Sequence, residues 1–373
     1  VRIDKGLISG TQFMFSVACF IQASALLTTF ISAVTLQDSW LVLLFGAALC
    51  LPLIWLYRTL MVMFPEQNLL QILSEVYGPV IGKIIGIAYI WFFFTLASLN
   101  LTDLGNFTKL TILPETPNVV LILICVLVSA FAVRNGIKLV TKYSTLFAVI
   151  TFILFGIGAT LMFNQIKLEN FLPMFDQPVG KYVQGIHIIA TIPIGELVTF
   201  LMIHPYVKLS RRDTTKYLFL GFGLGGITIL VVLLLNIGVL GNLLDMFTLP
   251  TLVMLRLVNL GMALSRMEII FAVILVMLLF FKVTFLYYVS VLATAQLFKA
   301  KAYPQLALAA GALIIAYGLT LYPSLVEHAA SAQEITPFLW TPFEILIPLL
   351  TFCIAKLRKL PKTSKEMAKE QEV

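Results

Sequence analysis

The stretch TIPIGELVTF, Thr191 to Phe200, places a carboxylate directly after a Pro-x-Gly sequence, inside a run otherwise apolar enough to sit in lipid. Pro193 removes a helical hydrogen bond and Gly195 permits a non-helical backbone, so a membrane helix here divides into two halves. Composition makes the run one of many membrane spans. Of the 373 residues, 60% are hydrophobic and 12% charged, and the mean hydropathy of +1.01 lies far outside the soluble range. Apolar runs of about 20 residues recur along the chain, each enough at ~1.5 Å per residue to cross a ~30 Å hydrocarbon core. Closed barrels are excluded, because their strands are short and alternate polar with apolar.

Charges and turn residues punctuate ten spans, at about 10 to 35, 40 to 63, 84 to 108, 118 to 133, 141 to 163, 182 to 206, 217 to 240, 267 to 298, 304 to 322 and 338 to 356. Residues 1–356 form one transmembrane domain and 357–373 a polar cytoplasmic tail. The first run is too long for a signal-peptide core and lacks a cleavage site, so it is expected to span and to direct insertion. Between the seventh and eighth spans, residues 241–266 carry apolar positions at helical spacing, as in a re-entrant or interfacial helix. With an inward amino terminus, 19 Lys and Arg fall on inward segments and 5 on outward ones, which predicts both termini in the cytoplasm. The net charge of +7 then follows from topology, without a nucleic-acid partner.

The charges bracketing each span estimate depth. Lys5 and Asp38 centre the first span on Gln22, Lys83 and Lys109 the third on Leu96, Lys181 and Lys208 the sixth beside Gly195, and Arg266 and Lys299 the eighth beside Lys282. Gln22, Glu196 and Lys282 are therefore expected level with one another near the bilayer centre. A charge there costs roughly 2.5–3.5 kcal/mol on insertion scales, so each must face the protein interior. Glu196 and Lys282 read either as a structural ion pair or as the lining of a ligand or ion path. The kink favours the path, because it sets Glu196 at the positive end of a half-helix.

The first span is interrupted similarly: Gln22, Ala23, Ser24 and Ala25 form a small polar patch, and helix packing does not explain a central Gln. Broken first and sixth spans in a ten-span chain fit a five-plus-five inverted repeat, about 10–163 and 182–356, with a site where the breaks meet. The candidate ligand-binding residues are Gln22, Ala23, Ser24, Ala25, Thr191, Ile192, Gly195 and Glu196, with Phe93 and Leu96 of the third span on one shared face. Asp103, seven residues outward of the third midpoint, reads as a vestibule residue. His187 is expected to be a hydrogen-bonded or interfacial side chain and His204 and His328 span-end residues. Cys19, Cys50, Cys125 and Cys353 are expected to act as small hydrophobes. No nucleophile elbow, phosphate loop or metal-spaced cluster occurs, so neither an enzyme nor a cofactor is expected.

The run FPEQNLLQILSEVYGPVIGKIIGIAYIWFFFTLASLNLTDLGNFTKLTILPETP, Phe64 to Pro117, resembles the B-subunit permeases of spore germinant receptors, the GerAB type. So do AVRNGIKLVTKYS at 132 to 144, NFLPMFDQPVGKYVQG at 170 to 185, IPIGELVTFLMIHPYV at 192 to 207, SRMEIIFAVILVMLLFFK at 265 to 282, and the Pro342-x-Glu344-x-x-x-Pro348 near the end. That family is similar to amino acid, polyamine and organocation transporters with the five-plus-five repeat. The resemblance implies a membrane-embedded subunit of the spore inner membrane or cell membrane, sensing a small-molecule germinant beside an A-type membrane subunit and a C-type lipoprotein. Gly195 and Glu196 match the family's Gly-Glu at the sixth break and Lys282 its lysine in the eighth span. Lys282 would then be a fixed cation where sodium-coupled members of the broader fold hold sodium. Amino acid transporters of this kind carry Gly-x-Gly at the first break, where Gln22 to Ala25 has no glycine, so amino acid, sugar and ion all stay open as ligands. The alternative is a proton-coupled secondary transporter of amino acids or other small polar solutes, and the third reading a structural scaffold.

Overall fold

The computed structural model describes residues 8–257, 267–300, 302–322 and 325–361. The end of the expected surface segment with Arg266, the amino-terminal Lys5 and most of the polar tail lie outside the described residues. The first span is α1 (Gly10–Gln22) and α2 (Leu27–Thr35), joined by a tight turn at Ala23–Leu26. The second is α3 (Ser39–Leu49) and α4 (Leu51–Met63), and α5 (Leu69–Tyr77) leads to spans three to five: α6 (Pro79–Thr111), α7 (Asn118–Arg134) and α8 (Ile137–Met162). The sixth span starts as α9 (Val179–Ile189), widens into a π turn at Ala190–Ile194 and tightens into a 3-10 helix over Gly195–Met202. The seventh is α10 (Arg211–Leu240), followed by α11 (Pro250–Leu257), the eighth α12 (Met267–Leu297) and the ninth α13 (Ala307–Leu321). After α14 (Leu325–Glu334), the tenth is α15 (Thr336–Thr341), a π turn at Pro342–Leu346 and α16 (Ile347–Leu357).

Local chemistry sets these boundaries. Ser9 and Gln12 form a capping box on α1, as Asn68 and Gln71 do on α5, satisfying amides that a helix start leaves open. Gly78 and Gly136, at φ of 83° and 94°, turn the chain into α6 and α8 where a side chain is disfavoured. Leu36, at φ 48°, divides the long apolar stretch Thr28–Met63 into the end of the first span and all of the second.

The packing has an internal symmetry. Spans three and eight (α6, α12) lie against each other, and spans one and seven (α1, α10) are matched by six and two (α9, α3). Spans one and five (α1, α8) are matched by six and ten, and three and nine (α6, α13) by eight and four (α12, α7). Adding five to the span numbers turns each of these pairs into its match, and three and eight into themselves, as an inverted repeat requires. Small residues let α10 approach α1: a Cβ on Gly225 would sit 2.7 Å from Ile21 Cβ, and one on Gly221 2.5 Å from the Met14 carbonyl. Gly225→Leu is expected to cost ~1–3 kcal/mol by overpacking, read as a lower Tm of the purified protein. Large apolar side chains left exposed, such as Phe45, Ile84, Ile124 and Ile153, face outward as a lipid-bathed surface requires.

Three features depart from the sequence expectations. The helices α5 and α14 occupy expected linkers. The segment after α10 packs inward, with Leu252, Met254 and Leu255 buried against its neighbours. The tenth span is also interrupted, because Pro342 and Pro348 flank a turn that a hydropathy run does not reveal.

Candidate functional site

Both expected breaks are present. In the first, Ser24 leaves helical geometry at φ −84° and ψ 19°. In the sixth, Ile192 is extended at φ −116° and ψ 111° and Pro193 has no N–H to return, while the Thr191 hydroxyl donates to the His187 and Ile188 carbonyls, 2.9 and 3.2 Å away. Glu196 stands in the first turn of the 3-10 helix that resumes after the break.

Lys282, halfway along α12, reaches both breaks. Its Nζ lies 2.5 Å from Glu196 Oε2, donates to Ser24 Oγ at 2.7 Å, and sits 4.7 Å from the Phe20 ring centroid. The two charged side chains are 2% and 3% exposed, so each is stable in this buried position only through the other. Beside them lies a cavity of ≈ 50 Å³. Of the expected residues, Ala23, Ser24, Leu96, Asp103, Ile192, Glu196 and Lys282 line it.

The other expected residues are turned elsewhere. Gln22 donates through Nε2 to Thr228 Oγ1 of α10 at 2.9 Å and faces the seventh span. Ala25 packs toward Pro250 and Leu252, and Phe93 stands among Tyr89 and Phe92. The Thr191 hydroxyl is spent on its own helix, and Gly195 abuts the Glu344 carboxyl. His187 Nε2 is 2.8 Å from Thr341 Oγ1 and its ring meets Phe338, an interhelical contact.

Two constrictions flank the cavity. On the side of α14, Leu26, Phe30, Asp103 and His328 line both this cavity and a second of ≈ 50 Å³ bounded by Phe107 and Leu249, and so form the wall between them. His328 Nδ1 lies 3.0 Å from Asp103 Oδ1, and its ring stacks on Tyr322 with centroids 5.0 Å apart. Burial opposes the charged imidazole, but the Asp103 charge and hydrogen bond outweigh it, and the pKa of His328 is raised above its ordinary 6.5. A second cluster, of Phe20, Phe200 and Phe285, packs beside Lys282 with ring centroids 4.6–5.5 Å apart. Sequence reasoning places His328 at a span end; its contact with a residue 225 positions away has no local signal. Among the described residues, no group of His, Cys, Asp and Glu has the arrangement of a metal site.

The cavity lies between the two broken spans, with Ser24 of the first and Ile192 and Glu196 of the sixth in its wall. Residues 7–324 match the family described as Spore germination protein. The chain belongs to the spore germination protein family. Within the family, it is 26% identical over 375 residues to Spore germination protein KB of Bacillus subtilis (strain 168), covering 99% of this chain and 100% of that one. Its fold is similar to that of Mhp1, a nucleobase-cation-symport-1 family transporter solved in a closed conformation with bromovinylhydantoin bound. The TM-score is 0.66 at 12% identity, over 89% of this chain and 76% of that one. A Na+-coupled sialic acid symporter in a substrate-bound outward-open state matches with TM-score 0.61 at 12% identity, over 91% of this chain and 79% of that one. The chain is thus an all-α, multi-pass integral membrane protein with the LeuT-like, five-plus-five inverted-repeat fold.

Proposed function

We propose that the chain is an alternating-access permease subunit that binds a small polar solute beside Glu196, Lys282 and Ser24, and that this binding serves germinant sensing in a spore germination receptor. The observation that carries the reading is the Glu196–Lys282 pair bridging both broken spans beside a small cavity, with Ser24 as a third polar contact. A cavity of ≈ 50 Å³ holds water rather than a nutrient, so on this reading the conformation is a closed one and a solute enters by parting one constriction. Opening between Phe30, Asp103 and His328 would admit it from the outer face, with both termini cytoplasmic as the distribution of Lys and Arg predicts. An A-type membrane subunit and a C-type lipoprotein would read the change in spore inner membrane.

The second reading, proton-coupled secondary transport, is favoured by the fold likeness to solute–cation symporters. Lys282 supports coupling without sodium, since its ammonium takes oxygens of a carboxylate and a hydroxyl at 2.5 and 2.7 Å, the kind of ligands a bound cation would need. A thermal-shift screen of amino acids, sugars and ions against purified protein tests binding: stabilisation by one class that is lost in Glu196→Gln supports the site, and no stabilisation by any class favours a scaffold. Uptake into proteoliposomes separates the readings. Sustained accumulation driven by a proton gradient and indifferent to sodium supports transport, whereas binding without accumulation supports sensing.

The outer constriction predicts a pH dependence. A raised His328 pKa means that the pairing with Asp103 contributes fully below about pH 6.5 and is lost as pH rises through the raised value. Solute association is therefore expected to accelerate as pH rises across that window, and His328→Gln should remove the dependence. Stopped-flow binding at a series of pH values checks both.

A further inference from the structure

Glu344 stands in the π turn of the tenth span and is 0% exposed. Neither of its carboxylate oxygens has a hydrogen-bond partner among the described residues. The carboxyl lies against the sixth-span break, so close that a Cβ on Gly195 would collide with Oε2. The Tyr57 hydroxyl ties the two breaks together, 2.6 Å from the Glu344 carbonyl and 3.0 Å from the Gly195 carbonyl. Tyr89 donates to the neighbouring Phe343 carbonyl at 2.5 Å. Both tyrosine protons therefore go to the main chain and not to the carboxyl.

The titratable groups facing Glu344 are Glu196, Lys282, Tyr57, Tyr89 and Cys50. One of these five is a cation, and Lys282 already holds Glu196 and Ser24. Two ionised carboxylates against one ammonium would leave an uncompensated, undonated negative charge at the membrane centre. Of the two, Glu344 has no partner. We propose that Glu344 is a proton-binding site, a carboxylic acid loaded in this closed state that releases its proton to water when the sixth-span break moves away from the tenth. Release leaves a carboxylate free to compete with Glu196 for Lys282, so protonation of one helix is read by the ion pair of another. The loaded proton needs only this closed state, whereas its release rests on the alternating-access reading above.

Infrared difference spectroscopy of the purified protein tests the idea without any solute. At neutral pH, a carboxylic-acid C=O stretch is expected that Glu344→Gln removes and Glu196→Gln keeps. The same band should give way to carboxylate absorption as pH rises. Glu344→Gln and Glu344→Met, both neutral, should fold as the parent does and lose the pH dependence of its Tm in that range. A band unaltered by Glu344→Gln, or one that persists to the highest pH at which the protein stays folded, overturns the proposal. So does destabilisation by both neutral variants together with absence of the band, which would make Glu344 an ionised partner of Lys282. If the band behaves as expected but no solute binds, the binding reading fails and the loaded proton stands.

Discussion

Lys282→Met is expected to destabilise the protein by about 3–5 kcal/mol, because it leaves Glu196 charged and unpaired in the membrane core. Methionine nearly matches the lysine stem in length, so lost packing contributes little. The charge is what matters: Glu196 is 3% exposed and the 2.5 Å contact with Lys282 Nζ is its only ion pair among the described residues. Denaturant unfolding in detergent reads the loss. The double variant Glu196→Gln, Lys282→Met should recover most of it, since both desolvation penalties are then gone. A double variant as unstable as Lys282→Met alone would mean that the damage comes from packing around α12.

The membrane spans were legible because hydrophobic length and basic residues act locally, and each boundary can be read within a few residues of itself. The relative level of two spans was legible for the same reason: charges bracketing the sixth and eighth spans placed Glu196 and Lys282 level with each other, and their side chains touch. Rotation about a helix axis was not. Gln22 directly precedes the first-span break, yet it turns to Thr228 of α10, because a buried Gln needs only some polar partner and sequence spacing does not say which helix supplies it. Residues whose meaning is wholly tertiary were invisible or misread. His328 acquires its role only when folding brings it to Asp103 of α6, and the tenth break is hidden because a π turn that starts at Pro342 leaves the hydrophobic run intact.

Phe200→Ala should both weaken the fold and unseal the cavity on the face opposite α14. The ring is 0% exposed and stands 4.6 Å from Phe285, 5.4 Å from Phe20 and 5.8 Å from Phe13, so its truncation is expected to cost ~3–5 kcal/mol. The functional consequence follows from where those rings lie. Phe20 touches Lys282, and Phe200 belongs to the same 3-10 helix as Glu196, so removing Phe200 is expected to open a path toward Ser24 while leaving the polar contacts of the ion pair in place. With the exposed Cys353 replaced by serine, a Ser24→Cys probe should resist a membrane-impermeant thiol reagent in the parent background. In Phe200→Ala it should react from the face that carries the start of α1, and in His328→Ala from the face of α14. Reaction from the α14 face in Phe200→Ala would mean that the aromatic cluster is only core, and that a different contact seals that end of the bundle.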